Sequence, residues 1–138
     1  IFNWARRFPD INICIAHLMN FSSVFFANLK KYDKENLFTD ISPFLGLCQF
    51  VDRNRSRFMD KVLELPYKNP LMTLNEIFSE HKNRLLWGSD DPFGRFRVDA
   101  DFFVDNSLEE ELDFLFSINE TIRKKIASVN SRNFLNIV

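Results

Sequence analysis

The sequence predicts an α/β fold in which parallel strands alternate with helices. Three short apolar runs, at residues 11–16, 36–41 and 84–88, are bounded by turn-forming residues and are typical of buried strands. Amphipathic segments lie between them, and strands that alternate with helices pair in parallel through crossover connections. The chain has 138 residues, 46% of them hydrophobic, which is enough for one domain with its own core.

The first half of the chain is predicted to alternate between helix and strand. Residues 1–7 form a helix that leads into the first strand. Ser22 or Ser23 caps a second helix that runs to about residue 32, because a side-chain oxygen satisfies the first amides of a helix. The polar, basic residues 49–57 are interpreted as a solvated loop or a helix start, the alternative being a loop that faces substrate.

Two segments between the second and third strands are predicted to be helical. Residues 55–65 form an amphipathic helix that Pro66 ends. Thr73 and Glu76 have the spacing of a capping box, which predicts a helix from there to about residue 81.

The end of the chain is predicted to be helical throughout. Ser107 and Glu110 have capping-box spacing and open a helix. The apolar residues of this helix predicted to face the core are Leu108, Leu112 and Leu115. Asn119 caps a helix through residue 129, and a last short helix covers residues 131–137.

Composition narrows the classes of partner and the compartment. The net charge of −1 provides no electrostatic footprint for nucleic acid or an anionic membrane. No apolar run reaches the length of a membrane span, and no secretory signal pattern opens the sequence. Cys14 lies inside a predicted strand and Cys48 is the only other cysteine, so a reducing, cytoplasmic location is expected.

Two side chains that can carry chemistry follow predicted strands. His17 comes directly after the first strand, and Asp90 follows the third strand at a Gly-Ser-Asp turn. In parallel α/β folds, ligands and catalytic groups lie at the carboxyl ends of the strands. Asp90 alone would be interpreted as a turn residue, as Asp91 is, and His17 alone as a strand-end histidine. Together they predict a site.

Four motifs in order along the chain resemble those of a metal-dependent enzyme family. Residues 5–18 (ARRFPDINICIAHL), 37–42 (LFTDIS) and 84–93 (RLLWGSDDPF) are similar to the sixth, seventh and eighth strand segments of amidohydrolase-related enzymes. Residues 126–135 (IASVNSRNFL) resemble their closing helix. The family includes aminocarboxymuconate-semialdehyde decarboxylase, and its fold is a (β/α)8 TIM barrel. The resemblance implies that residues 1–138 are the carboxyl-terminal portion of one such barrel, strands six to eight with their helices.

The resemblance also implies a function and a cofactor. Such enzymes hold a divalent metal, here expected to be zinc with manganese or iron as alternatives, and act on small carboxylated or cyclic substrates through an activated water. Asp90 occupies the position of the strand-eight metal ligand and catalytic carboxylate. His17 occupies the strand-six position, whose histidine acts as a base or electrostatic partner. The expected function is therefore a metal-dependent hydrolase or carboxy-lyase such as a decarboxylase, and a homodimer is the expected assembly.

The remaining ligands of that family are not in this sequence. It has two histidines and no His-x-His pair, so the other ligands are expected from an amino-terminal barrel segment that would be a partner of this chain. A catalytic zinc site normally needs three protein ligands. The alternative is therefore a degenerate or partial barrel that acts as a non-catalytic binding subunit. A flavodoxin-like signalling domain is a weaker third interpretation, because no Gly-rich phosphate loop is present.

Other polar residues are assigned structural roles. His81 is expected at a helix end, where a histidine suits the helix dipole. Asp40 and Ser42 are expected to bond loop backbone near the site, and Asn130 to bond backbone at the barrel end. Two departures from the family concern the substrate: no glycine follows Leu18, and residues 43–82 form a longer connection than usual, suited to a lid or a subunit contact.

Overall fold

A computed structural model describes residues 1–58, 61–88 and 107–137 of the chain. It contains three strands, β1 Ile13–Ile15, β2 Leu37–Asp40 and β3 Leu85–Leu86. They form one parallel sheet in the order β1-β2-β3. Each strand lies within one of the three apolar runs, so sequence predicted their positions and their parallel direction correctly.

Eight helices surround the sheet in the described part of the chain. They are α1 Phe2–Arg7, α2 Ser23–Lys30, α3 Phe44–Arg53, α4 Arg55–Phe58, α5 Pro70–His81, α6 Leu108–Ser117, α7 Glu120–Lys124 and α8 Asn130–Leu135. A π-helical turn, Lys125–Val129, joins α7 to α8. Within the described ranges, no helix combines the length and the apolar character needed to cross a bilayer.

The two faces of the sheet pack differently. Successive residues of a strand point to opposite faces. Leu37 and Leu85 belong to the main apolar cluster, together with core residues of α2, α3 and α5. On the other face, Phe38 packs edge-on against Phe134 of α8 with ring centroids 5.4 Å apart. Helices therefore contact both faces of the sheet, which is typical of an open parallel sheet, whereas the helices of a (β/α)8 barrel form a ring on the outer face alone.

The predicted helix over residues 55–65 is confirmed at its start, as α4, but is wrong for residues 61–65, and a helix that was not predicted, α3, precedes it. α4 ends at Phe58, and Val62 instead forms an antiparallel bridge with Ser22. Leu63 donates its backbone N–H to the Phe21 carbonyl at 2.9 Å, so non-local backbone pairing overrides the local helical pattern. α3 begins at Phe44, inside the segment interpreted as a long connection. Its buried residues have helical spacing: Phe44, Leu47, Cys48 and Val51.

Three predicted helix caps are confirmed and one is wrong. Ser22, Ser107 and Asn119 each accept a backbone N–H of the helix they precede, and Ser107 forms its capping box with Glu110. The Thr73 capping box is absent, because α5 starts one turn earlier with Asn69 as its cap and Pro70 at its first position. The Thr73 hydroxyl is buried within α5, with no hydrogen-bond partner among the residues that the structure describes.

The buried face of α6 differs from the predicted one. Leu115 is buried as expected, but Leu112 is 39% exposed. Glu111 is buried instead, at 2% exposure, together with Phe114. The helix is rotated from the expected orientation, and the Glu111 carboxylate accepts a hydrogen bond from the Phe44 backbone N–H at the start of α3.

Candidate functional site

His17, Asp40 and Ser42 meet at the carboxyl edge of the sheet. Asp40 is the last residue of β2, and His17 and Ser42 each follow the end of a strand by two residues. The strands are parallel neighbours, which places their carboxyl ends side by side. The structure thus brings together three residues that the sequence placed near a site.

The Asp40 carboxylate ties the ends of β1 and β2 together. Its Oδ1 atom accepts the backbone N–H of His17 at 3.2 Å and that of Ser42 at 3.1 Å. The Ser42 hydroxyl donates to the same oxygen at 2.8 Å. The prediction that Asp40 bonds loop backbone is therefore confirmed, and this carboxylate fixes both loops that carry the site.

The His17 imidazole is held by the Ser42 backbone carbonyl. Nδ1 lies 2.5 Å from the Ser42 oxygen and 3.8 Å from Asp40 Oδ1. A carbonyl oxygen only accepts hydrogen bonds, so Nδ1 carries a proton and the neutral ring has its lone pair on Nε2. The ring is 39% exposed. Such a fixed tautomer suits a histidine whose Nε2 accepts a proton or binds a metal ion.

The backbone after β1 is left-handed over five consecutive residues. His17, Leu18, Met19, Asn20 and Phe21 have φ values between 49° and 57°, and none of them is glycine. Each such residue costs about 1–2 kcal/mol relative to right-handed backbone. Leu18 and Phe21 within this turn are fully buried. Sustained backbone strain of this kind clusters at functional sites.

The end of β3 approaches the same place. A Cβ built on Gly88 would lie 2.8 Å from Ser42 Oγ, so any side chain there would force Ser42 to move. Gly88 therefore brings the third strand end against the loop that holds His17. Asp90, the predicted metal ligand, lies outside the described residues, as does its distance from His17.

Cys14 lies next to Asp40 on the same face of the sheet. Its Sγ atom is 3.8 Å from Asp40 Oδ2. Burial, with a further contribution from the Asp40 charge, raises the pKa of the Cys14 thiol to about 11. The thiol is therefore protonated at neutral pH and is neither a nucleophile nor a ready metal ligand. Cys48 is also free, and burial raises its pKa as well.

His81 and Asn130, which were assigned structural roles, make their hydrogen bonds and ring contacts with residues other than His17. His81, the last residue of α5, is buried with its ring 5.1 Å from that of Phe26. Its predicted position at a helix end is confirmed, and burial lowers its pKa. Asn130 donates to the Lys82 and Leu85 carbonyls at 2.8 and 2.7 Å, which confirms that it bonds backbone. Trp87 packs half-buried against the core.

A cleft of 710 Å³ lies at the opposite, amino edge of the sheet. Asn12, Asn36 and Arg84 are among its lining residues. All three side chains already donate hydrogen bonds to backbone carbonyls, so they hold the chain together at this edge. The cleft therefore does not coincide with the predicted site.

Sequence reasoning missed Glu111. Its carboxylate accepts the backbone N–H groups of Phe44, Leu45 and Gly46, the first three residues of α3, at 3.0, 2.9 and 3.3 Å. In sequence it belongs to an acidic run that suits the start of α6, and nothing local marks a partner 67 residues away.

The described residues do not by themselves supply a complete metal site. Within residues 1–58, 61–88 and 107–137, no three His, Cys, Asp or Glu side chains are arranged to hold a metal ion. The fixed tautomer of His17 fits a base or ligand beside such an ion. Comparison with models of known families, with curated proteins and with solved structures gave no match. The interpretation of the site therefore depends on its residues and their geometry.

Proposed function

We propose that this chain forms the carboxyl-terminal part, strands six to eight, of an amidohydrolase-type barrel. In that barrel it contributes to a metal-dependent hydrolase or carboxy-lyase. The observation that carries the proposal is the restraint of His17, whose backbone N–H is bound by Asp40 and whose Nδ1 is bound by the Ser42 carbonyl. A base whose proton-accepting atom is fixed before substrate arrives is what general base catalysis requires.

The roles of the residues follow from this geometry. His17 accepts a proton at Nε2 and returns it, because Nδ1 is already committed to Ser42. Asp40 is a positioning residue, since its oxygen bonds the backbone on both sides of the site. Asp90 would hold the divalent ion, zinc being the first candidate. When bound, such an ion lowers the pKa of water to about 7 and polarises carbonyl groups.

The class of substrate follows from the same proposal. Small carboxylated or cyclic molecules are the proposed substrates, and the cytoplasm is the proposed compartment. The remaining metal ligands would come from an amino-terminal barrel segment.

The second candidate is a non-catalytic binding subunit. It is motivated by the content of the sequence, which has two histidines and no His-x-His pair. His81 is buried against Phe26 in the core, which leaves His17 as the one histidine at the carboxyl edge. Metal binding by the full protein separates the two candidates.

The test compares matched variants of the full protein. Asp90→Asn is expected to lose bound zinc or manganese, measured by mass spectrometry of the purified protein, whereas Asp91→Asn keeps it. His17→Asn, which tolerates left-handed backbone, is expected to reduce turnover of small aryl acids or lactones by about 100-fold or more. His81→Gln is the matched control. A protein that binds no divalent metal, with Asp90→Asn behaving like wild type, would support the binding subunit instead.

A further inference from the structure

We infer that Glu111, on α6, is a positioning residue that sets the orientation and tautomer of His17 through the start of α3. Glu111 does not touch His17. It acts on the peptide groups that follow Ser42, whose carbonyl binds the imidazole. Its importance for catalysis depends on the proposed function, but its effect on His17 does not.

The first link is the bond between Glu111 and the N-terminus of α3. Pro43 caps this helix and makes no side-chain cap hydrogen bond. The first amides of a helix have no partner within it, so they need acceptors from elsewhere. The Glu111 carboxylate supplies them for Phe44, Leu45 and Gly46, and it does so buried, at 2% exposure.

The second link is short and stiff. Only Pro43 separates the Ser42 carbonyl from the Phe44 amide that Glu111 binds. The pyrrolidine ring fixes φ of Pro43, observed at −77°, and so removes one of the two rotations between those groups. A shift of the first turn of α3 must therefore move the Ser42 carbonyl, and with it the partner of His17 Nδ1.

A series of aromatic contacts also connects α6, through the start of α3, to the turn that begins at His17. Phe114, one turn after Glu111, stacks on Phe44 with centroids 5.4 Å apart and an interplanar angle of 16°. Phe44 in turn meets Phe21 edge-on at 6.2 Å. Phe21 ends the left-handed turn that begins at His17. α6 therefore contacts the start of α3 directly and Phe21 through Phe44, and the carboxylate and the rings act at the same residue, Phe44.

Glu111→Gln tests the carboxylate link most sharply. An amide keeps one oxygen and replaces the other with an NH₂ group, which would face either the Phe44 amide or the Leu45 amide as donor against donor. Glu109→Gln is the matched control, because it removes the same charge from an exposed position on the same helix. Both variants are compared after circular dichroism has shown that they are folded.

The readout is the tautomer of His17, measured by ¹⁵N NMR of the histidine rings in the full protein without added metal. His17→Asn assigns the signals. The wild-type protein and Glu109→Gln are expected to show the Nδ1–H tautomer alone, whereas Glu111→Gln is expected to show a mixture of both. Should the proposed function hold, kcat of Glu111→Gln also falls about tenfold or more with KM little changed.

Two results would overturn the inference. One is a folded Glu111→Gln protein whose His17 ring keeps the wild-type tautomer. The other is an equal change in Glu109→Gln. If Glu111→Gln does not fold, Glu111→Asp replaces it, since its shorter carboxylate reaches fewer of the three amides and must still give a detectable second tautomer. A protein with this NMR behaviour and no metal or activity would uphold the inference while rejecting the proposed function.

Discussion

The two edges of the sheet use polar side chains in opposite ways. At the amino edge, the side chains of Asn12, Asn36 and Arg84 donate to backbone carbonyl groups. At the carboxyl edge, the side chains of Asp40 and Glu111 accept from backbone N–H groups. The first edge is thus supplied with donors and the second with acceptors.

The direction of the helices explains the difference. Helices that connect parallel strands run against them, so their C-termini lie at the amino edge and their N-termini at the carboxyl edge. Helix C-termini leave carbonyls without partners and N-termini leave amides without partners. Asn36 bonds carbonyls at and beyond the end of α1, whereas Glu111 bonds amides at the start of α3.

The largest expected effect on stability comes from a substitution of Asn36 at the amino edge. Asn36 is buried, and its Nδ2 donates to the Ala5, Phe8 and Ile11 carbonyls at 3.0 Å. Asn36→Leu removes these bonds and is expected to lower the free energy of unfolding by about 3 kcal/mol, because each unsatisfied buried group costs about 1–3 kcal/mol. Urea denaturation measures it.

The control for this comparison is Asn83→Leu, an exposed asparagine at the same edge, which should change stability by less than about 0.5 kcal/mol. Asn36→Leu should also leave the His17 tautomer as in wild type. If it altered the His17 ring as strongly as Glu111→Gln does, the two edges would not be independent and the comparison would fail.

A substitution of Met19 at the carboxyl edge is expected to have an intermediate effect on stability. Met19 is left-handed, with φ of 49°, and 50% exposed. Met19→Gly is expected to stabilise the protein by up to about 1 kcal/mol, because glycine adopts this backbone without steric strain. Met72 is 51% exposed on the right-handed helix α5, so Met72→Gly should destabilise by about 0.5–1 kcal/mol. Thermal unfolding measures the change in stability of both variants. Changes of the same sign would contradict a left-handed backbone at Met19.

The smallest effect concerns pH and His81. Burial lowers its pKa in the folded protein below the ordinary value of about 6.5. The unfolded chain therefore binds a proton more readily, so this contribution to stability is complete above about pH 6.5 and is lost as the pH falls below it. Urea midpoints between pH 7 and pH 5 should show this decline, and His81→Gln should reduce it. An unchanged slope in His81→Gln would contradict the assignment.

The sequence correctly predicts the strands and helix caps that depend on residues close to each other in the chain. The strands were found because apolar runs end at turn residues, and the Ser22, Ser107 and Asn119 caps because each side chain bonds an amide two or three residues away. α3 was not predicted. Its buried residues Phe44, Leu47, Cys48 and Val51 have helical spacing, but its second half overlaps the polar, basic residues 49–57, whose composition favours a loop.

Non-local contacts account for what the sequence could not predict. The extended path of residues 61–63 depends on pairing with Phe21, Ser22 and Ser23, and the partner of Glu111 lies 67 residues away. The left-handed turn contains no glycine, so no residue type in the sequence indicates it. His17, Asp40 and Ser42 could be predicted, since strand ends in a parallel sheet necessarily meet.

The proposed site requires that Asp90 and His17 lie beside the same metal ion, so the position of that ion relative to His17 is its most direct test. A crystal structure of the full protein grown with zinc, with the ion located by anomalous scattering, would give it. We expect an ion at the carboxyl edge, about 2.0–2.2 Å from an Asp90 oxygen, with His17 Nε2 directed at the ion or at its bound water. An ion at the amino edge, or Asp90 and His17 at opposite ends of the sheet, would contradict it.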